Sequence, residues 1–323
     1  MKIMEKMFQQ RIGYNGDIEN ISHTICKDFK LGSFLENKVI AMGYEDFNMM
    51  LKTSKGKYLV KILADFRNMK DCKRYTNVLT KAIENGVSTP KLLKSSQGYL
   101  HVIKIGKIRL RLYVMDFIEG RNFYNPELEL SEKEIRFVSH QAALINTIKI
   151  RPSHFYDSWA IKNILKVFKE RQKALEYEDL KMIKPVLKEF KEINIENLPK
   201  CFVHGDILKT NLLKDNNGKI QIIDFSVSNY YPRVVEMAVL ACNVLFNKNS
   251  KKESERNLKI ALEEYQKTVH LTEQELKALP VCIKASHAMH IICPLYERKI
   301  SKNTTKENDY WLDQGRSGLR QML

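Results

Sequence analysis

The hydrophobic positions divide the chain into two parts of different character. Up to about residue 120, apolar residues come in short runs that are typical of strands and are bounded by turn-forming residues. A turn over residues 53–57 separates the first two runs, and Gly106-Lys107 separates the last two, so that each pair predicts a β-hairpin. The predicted strands are residues 39–50, 58–63, 99–105 and 109–118.

Helical spacing occurs twice in the first part and dominates the second. Ser131 with Glu134, and Thr272 with Glu275, are capping boxes that each open a predicted helix, the second running toward His290. Further helices are predicted over residues 18–29, 71–85 and 159–177. A small antiparallel sheet with one or two helices, followed by a larger helical part, predicts the α+β class.

One hairpin signal interrupts the helical part. Asn217-Gly218 favours a two-residue turn, and such a turn places Asn211 opposite Asp224. Directly opposed residues lie roughly 4.5–5.5 Å apart at Cα. Because Asp206 lies on the chain leading into the same end of the hairpin, one amide and two carboxylates are predicted to meet there.

This predicted cluster suits phosphoryl transfer. Mg²⁺ prefers oxygen ligands and takes only one or two from the protein when water and phosphate complete its shell. A further carboxylate that is not needed as a ligand can accept the proton of an attacking hydroxyl. The residues therefore predict a metal clamp with an adjacent base.

Two motifs at the hairpin resemble those of one superfamily. His204-Gly-Asp206-Ile-Leu-Lys-Thr-Asn211 resembles the HGDxxxxN loop of the aminoglycoside phosphotransferase and choline kinase superfamily, and the segment around Asp224, Ile-Asp-Phe, resembles its IDF motif. The resemblance implies a protein-kinase-like, two-lobed fold that uses ATP and Mg²⁺. It also implies that Asp206 is the catalytic base and that Asn211 and Asp224 bind the metal, while we interpret His204 as a structural residue.

The resemblance extends into the first part of the chain. Residues 43–48, ending at Asn48, resemble the loop that covers ATP, and residues 58–61 resemble the strand that carries a phosphate-binding lysine, here Lys61. Residues 114–120 resemble the hinge that holds adenine, which implies contacts at Met115 and Phe117. We therefore predict an N-terminal nucleotide-binding lobe over residues 1–115, a C-terminal catalytic and substrate-binding lobe over 116–323, and a hinge at 115–120.

The sequence departs from the superfamily pattern at three places. There is no GxGxxG, and no glutamate stands near Tyr75, where the helix that orients the lysine normally carries one; Asp71 is the candidate substitute. Glu236 occupies a position that is normally Asp. We predict that Asn229 and Glu236 face the substrate. The stretch that follows Asp224, with a central Asn243, is similar to the homoserine-kinase-like branch.

Composition and charge narrow the class of protein but do not indicate a mechanism. The 54 Lys and Arg exceed the 38 Asp and Glu, a net charge of +16 that fits a lysine-rich surface, an anionic ligand or a nucleic-acid partner. Six cysteines without metal-ligand spacing favour reduced thiols, and the first residues contain no long apolar run of the secretory kind. The apolar stretch 279–296 is interrupted by Lys284, so we expect no membrane span and a cytoplasmic protein.

These observations together predict an ATP- and Mg²⁺-dependent kinase whose partner is a small molecule with a hydroxyl group, such as a homoserine-like, choline- or ethanolamine-like compound or an aminoglycoside. The missing glutamate keeps a catalytically inactive pseudokinase as an alternative. The charge keeps a nucleic-acid-binding protein as another, although no nucleic-acid module is recognisable and we expect no such partner. Neither the acceptor nor the oligomeric state is encoded in a readable motif.

Overall fold

A computed structural model describes residues 9–40 and 45–323. The described chain forms two compact units. The first takes in the residues up to Glu84 together with Ser88–Gly120, and the second takes in Asn85–Val87 together with Arg121–Leu323. Unit 1 therefore extends past residue 115, where we placed the end of the N-terminal lobe.

Unit 1 is built on an antiparallel sheet. Its strands follow the order β1-β2-β3-β6-β4, and β5 pairs with β6. The strands are β1 (Phe34–Ile40), β2 (Phe47–Thr53), β3 (Gly56–Ile62), β4 (Leu92–Leu93), β5 (His101–Ile105) and β6 (Ile108–Asp116). Two helices accompany them, α1 (Ile18–Asp28) and α2 (Met69–Glu84). Both hairpins and both helices predicted for this part of the chain are present.

The core of unit 1 follows from strand alternation. Phe47, Met49 and Leu51 alternate along β2 and are completely buried, as a strand with one face on the core requires. Ile21 and Ile25 of α1 belong to the same hydrophobic cluster. Asn48 therefore lies on the opposite face of β2, which points away from that core.

The predicted single strand over residues 39–50 is wrong, because the structure divides it between β1 and β2. Glu45 and Asp46 precede β2. Asp46 is buried, and its carboxylate accepts a hydrogen bond from the Ala64 N–H, just after β3, so this residue does not continue the strand. Gly43 and Tyr44, part of the predicted ATP-covering segment, lie outside the described residues.

Unit 2 is mainly helical. Both predicted capping boxes are present, at the starts of α3 and α8. Its helices are α3 (Glu132–Thr147), α4 (Ile164–Arg171), α5 (Tyr177–Glu192), α6 (Val234–Cys242), α7 (Lys251–Tyr265), α8 (Glu273–Lys299) and α9 (Lys306–Met322). By length and composition α8 could cross a membrane, but it is mostly buried against α4, α5, α6 and α9, which favours a core helix.

The predicted helix over residues 159–177 is also wrong in its bounds. The α-helical part is α4 alone, flanked by 3₁₀ turns, and Glu176 is extended and caps the start of α5. Glu178 and Asp179 in the first turn of α5 favour a new helix start there, because acidic groups stabilise a helix N-terminus. The helix α5 itself was not predicted.

Two small sheets complete unit 2. One has the order β10-β9-β7, formed by β7 (Gly120–Asn122), whose first residue is the last of unit 1, β9 (Leu212–Asp215) and β10 (Ile220–Ile222). The other pairs β8 (Lys200–Val203) with β11 (Asn229–Pro232). The segment between β8 and β9, residues 204–211, is called the 204–211 loop below.

Candidate functional site

The 204–211 loop brings together two of the predicted site residues. The side-chain amide nitrogen of Asn211, Nδ2, donates hydrogen bonds to Oδ2 of Asp206 at 2.7 Å and to the main-chain carbonyl of Asp206 at 2.9 Å. Both bonds leave from the nitrogen, so Oδ1 of Asn211 is the atom available for a cation. The predicted base and one predicted metal ligand are therefore neighbours.

The hairpin that follows the loop differs from its predicted register by one residue. Ile220 pairs with Lys214, and the Ile223 N–H donates to the Asn211 carbonyl at 3.0 Å, so Ile223 rather than Asp224 lies opposite Asn211. The reason is a longer turn, in which Oδ1 of Asp215 accepts the N–H groups of both Asn217 and Lys219 and Gly218 adopts a φ of +83°.

Asp224 still lies at the same end of the hairpin. It lies two residues beyond the end of β10, has a φ of +65°, and its Oδ1 accepts the Ser226 N–H at 3.2 Å. Its charge raises the pKa of Asp206 and opposes the fall in the pKa of His204. The structure therefore joins Asp206 to Asn211 and, by a different register, ends the paired part of the hairpin at Ile223, the residue before Asp224. The roles of the three residues stay predictions.

His204 has contacts that agree with a structural role. It is completely buried, its Nδ1 accepts the Asp206 N–H at 3.2 Å, and its Nε2 donates to the Ile223 carbonyl at 3.2 Å. Burial lowers its pKa to about 4, more than the nearby Asp224 raises it. Both ring nitrogens are bonded to main-chain groups, so His204 joins the loop to the hairpin.

The prediction that Glu236 faces the substrate is wrong. Its exposed fraction is 0%, and its carboxylate accepts the N–H groups of His204 at 2.6 Å and Gly205 at 3.3 Å. Nδ2 of Asn146 donates a third bond, at 3.3 Å. Burial raises the pKa of Glu236 to about 7, against these three hydrogen bonds. Glu236 therefore holds the backbone of the 204–211 loop.

Asn229 is likewise not a substrate-facing residue. It is buried, its Oδ1 accepts the Phe155 N–H at 3.1 Å, and its Nδ2 donates to the carbonyls of Phe155 and Val227 at 2.9 and 3.0 Å. All these partners are main-chain groups. Asn229 therefore joins the start of β11 to the chain before α4.

The electrostatics around Asp206 favour a proton acceptor. Burial raises its pKa well above the usual range, the charges of Asp157 and Asp224 raise it further, and the bond from Asn211 opposes them. A carboxylate with a raised pKa holds a proton more strongly than an exposed one, which suits a general base.

The donor set also fits a magnesium ion. Oδ1 of Asn211 and the carboxylate of Asp224 are hard oxygen donors at one end of the hairpin, beside a group of like-charged carboxylates that a cation would stabilise. Within residues 9–40 and 45–323 there is no cluster of three or more His, Cys, Asp or Glu side chains able to hold a metal.

In unit 1, Lys61 lies on β3 directly opposite Asn48 of β2. Its Nζ is 3.5 Å from Oδ2 of Asp46. Asp46 is thus an acidic partner of Lys61 within this unit, and it was not predicted. The substitution of Asp71 for the missing glutamate stays a prediction. The sequence offers little indication that Asp46 pairs with Lys61, because an acidic residue before a strand usually belongs to a solvated turn.

The predicted adenine contacts lie at the end of β6. Met115 is buried and pairs with Leu59 on one side and Leu92 on the other, while the Phe117 N–H donates to the Lys57 carbonyl at 3.3 Å. Neighbouring strands thus fix the path of this segment. Its contact with adenine stays a prediction.

A second anchor of the 204–211 loop was missed. Oδ1 of Asn243 accepts the Lys209 N–H at 2.7 Å, and its Nδ2 donates to Oε1 of Gln314 on α9 at 2.9 Å. We identified Asn243 only as a motif residue. Gln314 carried no signal, because a partner so distant along the chain leaves no local pattern.

Comparison with known proteins decides the family. A sequence profile of the phosphotransferase enzyme family matches residues 36–271, which include Lys61, the 204–211 loop and Asp224. The chain belongs to the phosphotransferase enzyme family. This phosphotransferase-family protein is also 24% identical over 274 residues to the homoserine kinase of Rhizobium meliloti (strain 1021), covering 83% of the chain and 81% of the relative.

Solved structures confirm the α+β, protein-kinase-like fold of this family member. A spectinomycin phosphotransferase in complex with ADP and spectinomycin has a TM-score of 0.70 at 10% identity, covering 94% of this chain and 98% of that one. An amicoumacin kinase in complex with AMP-PNP and Ca²⁺ has a TM-score of 0.68 at 14% identity, covering 94% and 93%. The predicted class, a small-molecule kinase of the phosphotransferase family, is confirmed at the level of the family.

Proposed function

We propose that the protein is an ATP- and Mg²⁺-dependent kinase that phosphorylates the hydroxyl group of a small metabolite, with homoserine-like amino acids and related amino alcohols as the first acceptors to test. The observation that carries the proposal is the 2.7 Å hydrogen bond between Asn211 and Asp206, in a loop whose aspartate has a raised pKa. The similarity to a homoserine kinase over most of both chains supports the choice of acceptor.

The residues of the site have distinct proposed tasks. Asp206 accepts the proton of the acceptor hydroxyl as that oxygen attacks the γ-phosphate, and the bond from Asn211 fixes the carboxylate in the orientation needed. Mg²⁺, when bound by Asn211 and Asp224, would neutralise charge on the phosphates. Lys61 of unit 1 is proposed to bind a phosphate of ATP, and Asn48, Met115 and Phe117 stay proposed nucleotide contacts.

Two alternatives are less well supported. A pseudokinase on this fold would not require Asp206, Asn211 and Asp224 together, and all three are present with Asp206 and Asn211 hydrogen-bonded. A nucleic-acid-binding role is supported only by the net charge of +16. We further propose a cytoplasmic protein without a membrane or nucleic-acid partner, which the small-molecule relatives support.

The test is the replacement Asp206→Asn, which keeps the shape of the side chain and removes the base. ADP release with Mg–ATP is measured against homoserine, ethanolamine, choline, hydroxylysine, methylthioribose and aminoglycosides. Loss of a general base lowers turnover by about 10²–10⁴-fold, and we expect at least that loss with Mg–ATP binding retained in a thermal-shift titration. Asp313→Asn, an exposed aspartate on α9, is the matched control. Near wild-type turnover of Asp206→Asn would refute the mechanism.

A further inference from the structure

The lysine of β3 is buried and needs a counter-charge. Lys61 is 6% exposed, and an ammonium group removed from water is strongly disfavoured unless a carboxylate compensates it. In the superfamily pattern that carboxylate comes from a helix, at the position held here by Tyr75. The phenol of Tyr75 cannot supply the charge, whereas a carboxylate of unit 1 lies among the contacts of Lys61.

Asp46 supplies it from the chain just before β2. Its Oδ1 accepts two hydrogen bonds, from the Ala64 N–H at 3.0 Å and from Nε of Arg67 at 2.9 Å. Its other oxygen, Oδ2, lies 3.5 Å from Nζ of Lys61. Asp46 is itself 6% exposed, so this carboxylate is held at a fixed place by donors that do not compete for Oδ2.

Arg67 connects this carboxylate to α2. Its guanidinium is 2% exposed and lies 4.8 Å from the centre of the Tyr75 ring, and it also pairs with Glu45. A cation over an aromatic face is attracted to it. The contacts therefore run from Tyr75 on α2 through Arg67 and Asp46 to Lys61, and α2 reaches the lysine through two side chains instead of one.

We propose that Asp46 is the positioning residue of Lys61, in place of an acidic residue on α2, and that Arg67 fixes Asp46. The proposal rests on the proposed function, in which Lys61 binds a phosphate of ATP. Without the charge of Asp46, Lys61 loses a carboxylate that holds its Nζ, and nucleotide binding weakens while the acceptor is bound as before.

The first test is Asp46→Asn, which keeps the side-chain shape and removes the charge. We expect the Kd and the KM for Mg–ATP to rise about tenfold, the change expected when a charge-assisted contact is lost, with the KM for the acceptor unchanged. Binding is measured by thermal-shift titration with Mg–ATP, and KM by ADP release. Asp65→Asn, an exposed aspartate of unit 1 between β3 and α2, is the control for the loss of one negative charge.

The second test separates a positioning role from a purely structural one. Asp46→Asn is combined with Lys61→Met, which gives an uncharged pair at these two positions, while Arg67 keeps its ion pair with Glu45. If Asp46 acts through Lys61, the double variant binds Mg–ATP as weakly as Lys61→Met alone. Additive losses, an unchanged Kd in Asp46→Asn, or tighter binding would overturn the proposal while the wild-type kinase activity stands. A wild type that neither binds Mg–ATP nor releases ADP would refute the proposed function and this inference with it.

Discussion

The buried carboxylate under the 204–211 loop allows a quantitative prediction. Glu236→Gln keeps the length of the side chain and replaces one oxygen with an amide. The remaining oxygen can still accept hydrogen bonds from the His204 N–H and from Nδ2 of Asn146. The new NH₂ group is a donor and would face the Gly205 N–H, which is also a donor. One buried donor is then unpaired, which costs about 1–3 kcal/mol.

The difference in unfolding free energy between Glu236→Gln and the wild type should change with pH in favour of the variant as the pH rises. Burial raises the pKa of Glu236 from 4.5 to about 7 in the folded protein. A raised pKa contributes stability that is fully present below pH 4.5 and is lost as the pH rises through about 7. A difference of about 2.5 units at 1.36 kcal/mol each amounts to about 3 kcal/mol. Because glutamine does not titrate, the variant should gain most of this, about 2.5 kcal/mol, on the wild type between pH 5 and pH 8.

Urea unfolding at pH 5, 6, 7 and 8 measures this change. The two tryptophans, Trp159 and Trp311, both lie in unit 2, so their fluorescence reports on the part of the chain that contains Glu236. Glu255→Gln, an exposed glutamate on α7, controls for the loss of a surface carboxylate. A difference in unfolding free energy that stays constant, or that shifts in favour of the wild type as the pH rises, would show that the three donors keep Glu236 ionised and that the reasoning is wrong.

Two further predictions concern the helices around the site. A Cβ atom on Gly315 of α9 would lie 2.7 Å from the His287 carbonyl oxygen of α8, so Gly315→Ala should lower the free energy of unfolding by about 1–3 kcal/mol; a melting temperature equal to that of Ser317→Ala on the same helix would contradict this. Burial lowers the pKa of His287 to about 3 and that of His290 to about 4, from 6.5, so their stabilising contribution is present above pH 6.5 and is lost as the pH falls through those values. Urea unfolding from pH 7 to pH 4 should therefore show a steeper loss of stability in the wild type than in His287→Asn, and parallel profiles would refute the effect.

Local patterns predicted most of the fold because the interactions behind them are local. The capping boxes need only residues three apart, and the bond between Asp206 and Asn211 spans one loop. The hairpin register failed by one residue because the Asp215 side chain takes two turn N–H groups, which a two-residue turn does not allow for. Such competition between turn types depends on side-chain geometry rather than on residue type alone.

The partners that position reactive side chains could not be predicted in the same way. Asp46 and Lys61 are brought together by the pairing of β2 with β3, and Asn243 meets Gln314 through the packing of two helices. Position in a motif also misled us about Glu236, since the pattern shows that a polar residue is needed but not which group it contacts.

The burial of polar residues on α6 explains why they serve the loop rather than a ligand. Every residue of α6 is buried, so a polar side chain there is stable only if its hydrogen bonds are met inside the protein. Glu236, in the first turn, bonds the start of the 204–211 loop, and Asn243, at the C-cap, bonds Lys209 near its end. These positions are seven residues apart on one helix, about 10 Å at 1.5 Å per residue. A single rigid element thus holds the loop on both sides of Asp206, which fixes the carboxylate without placing any residue of α6 against the substrate.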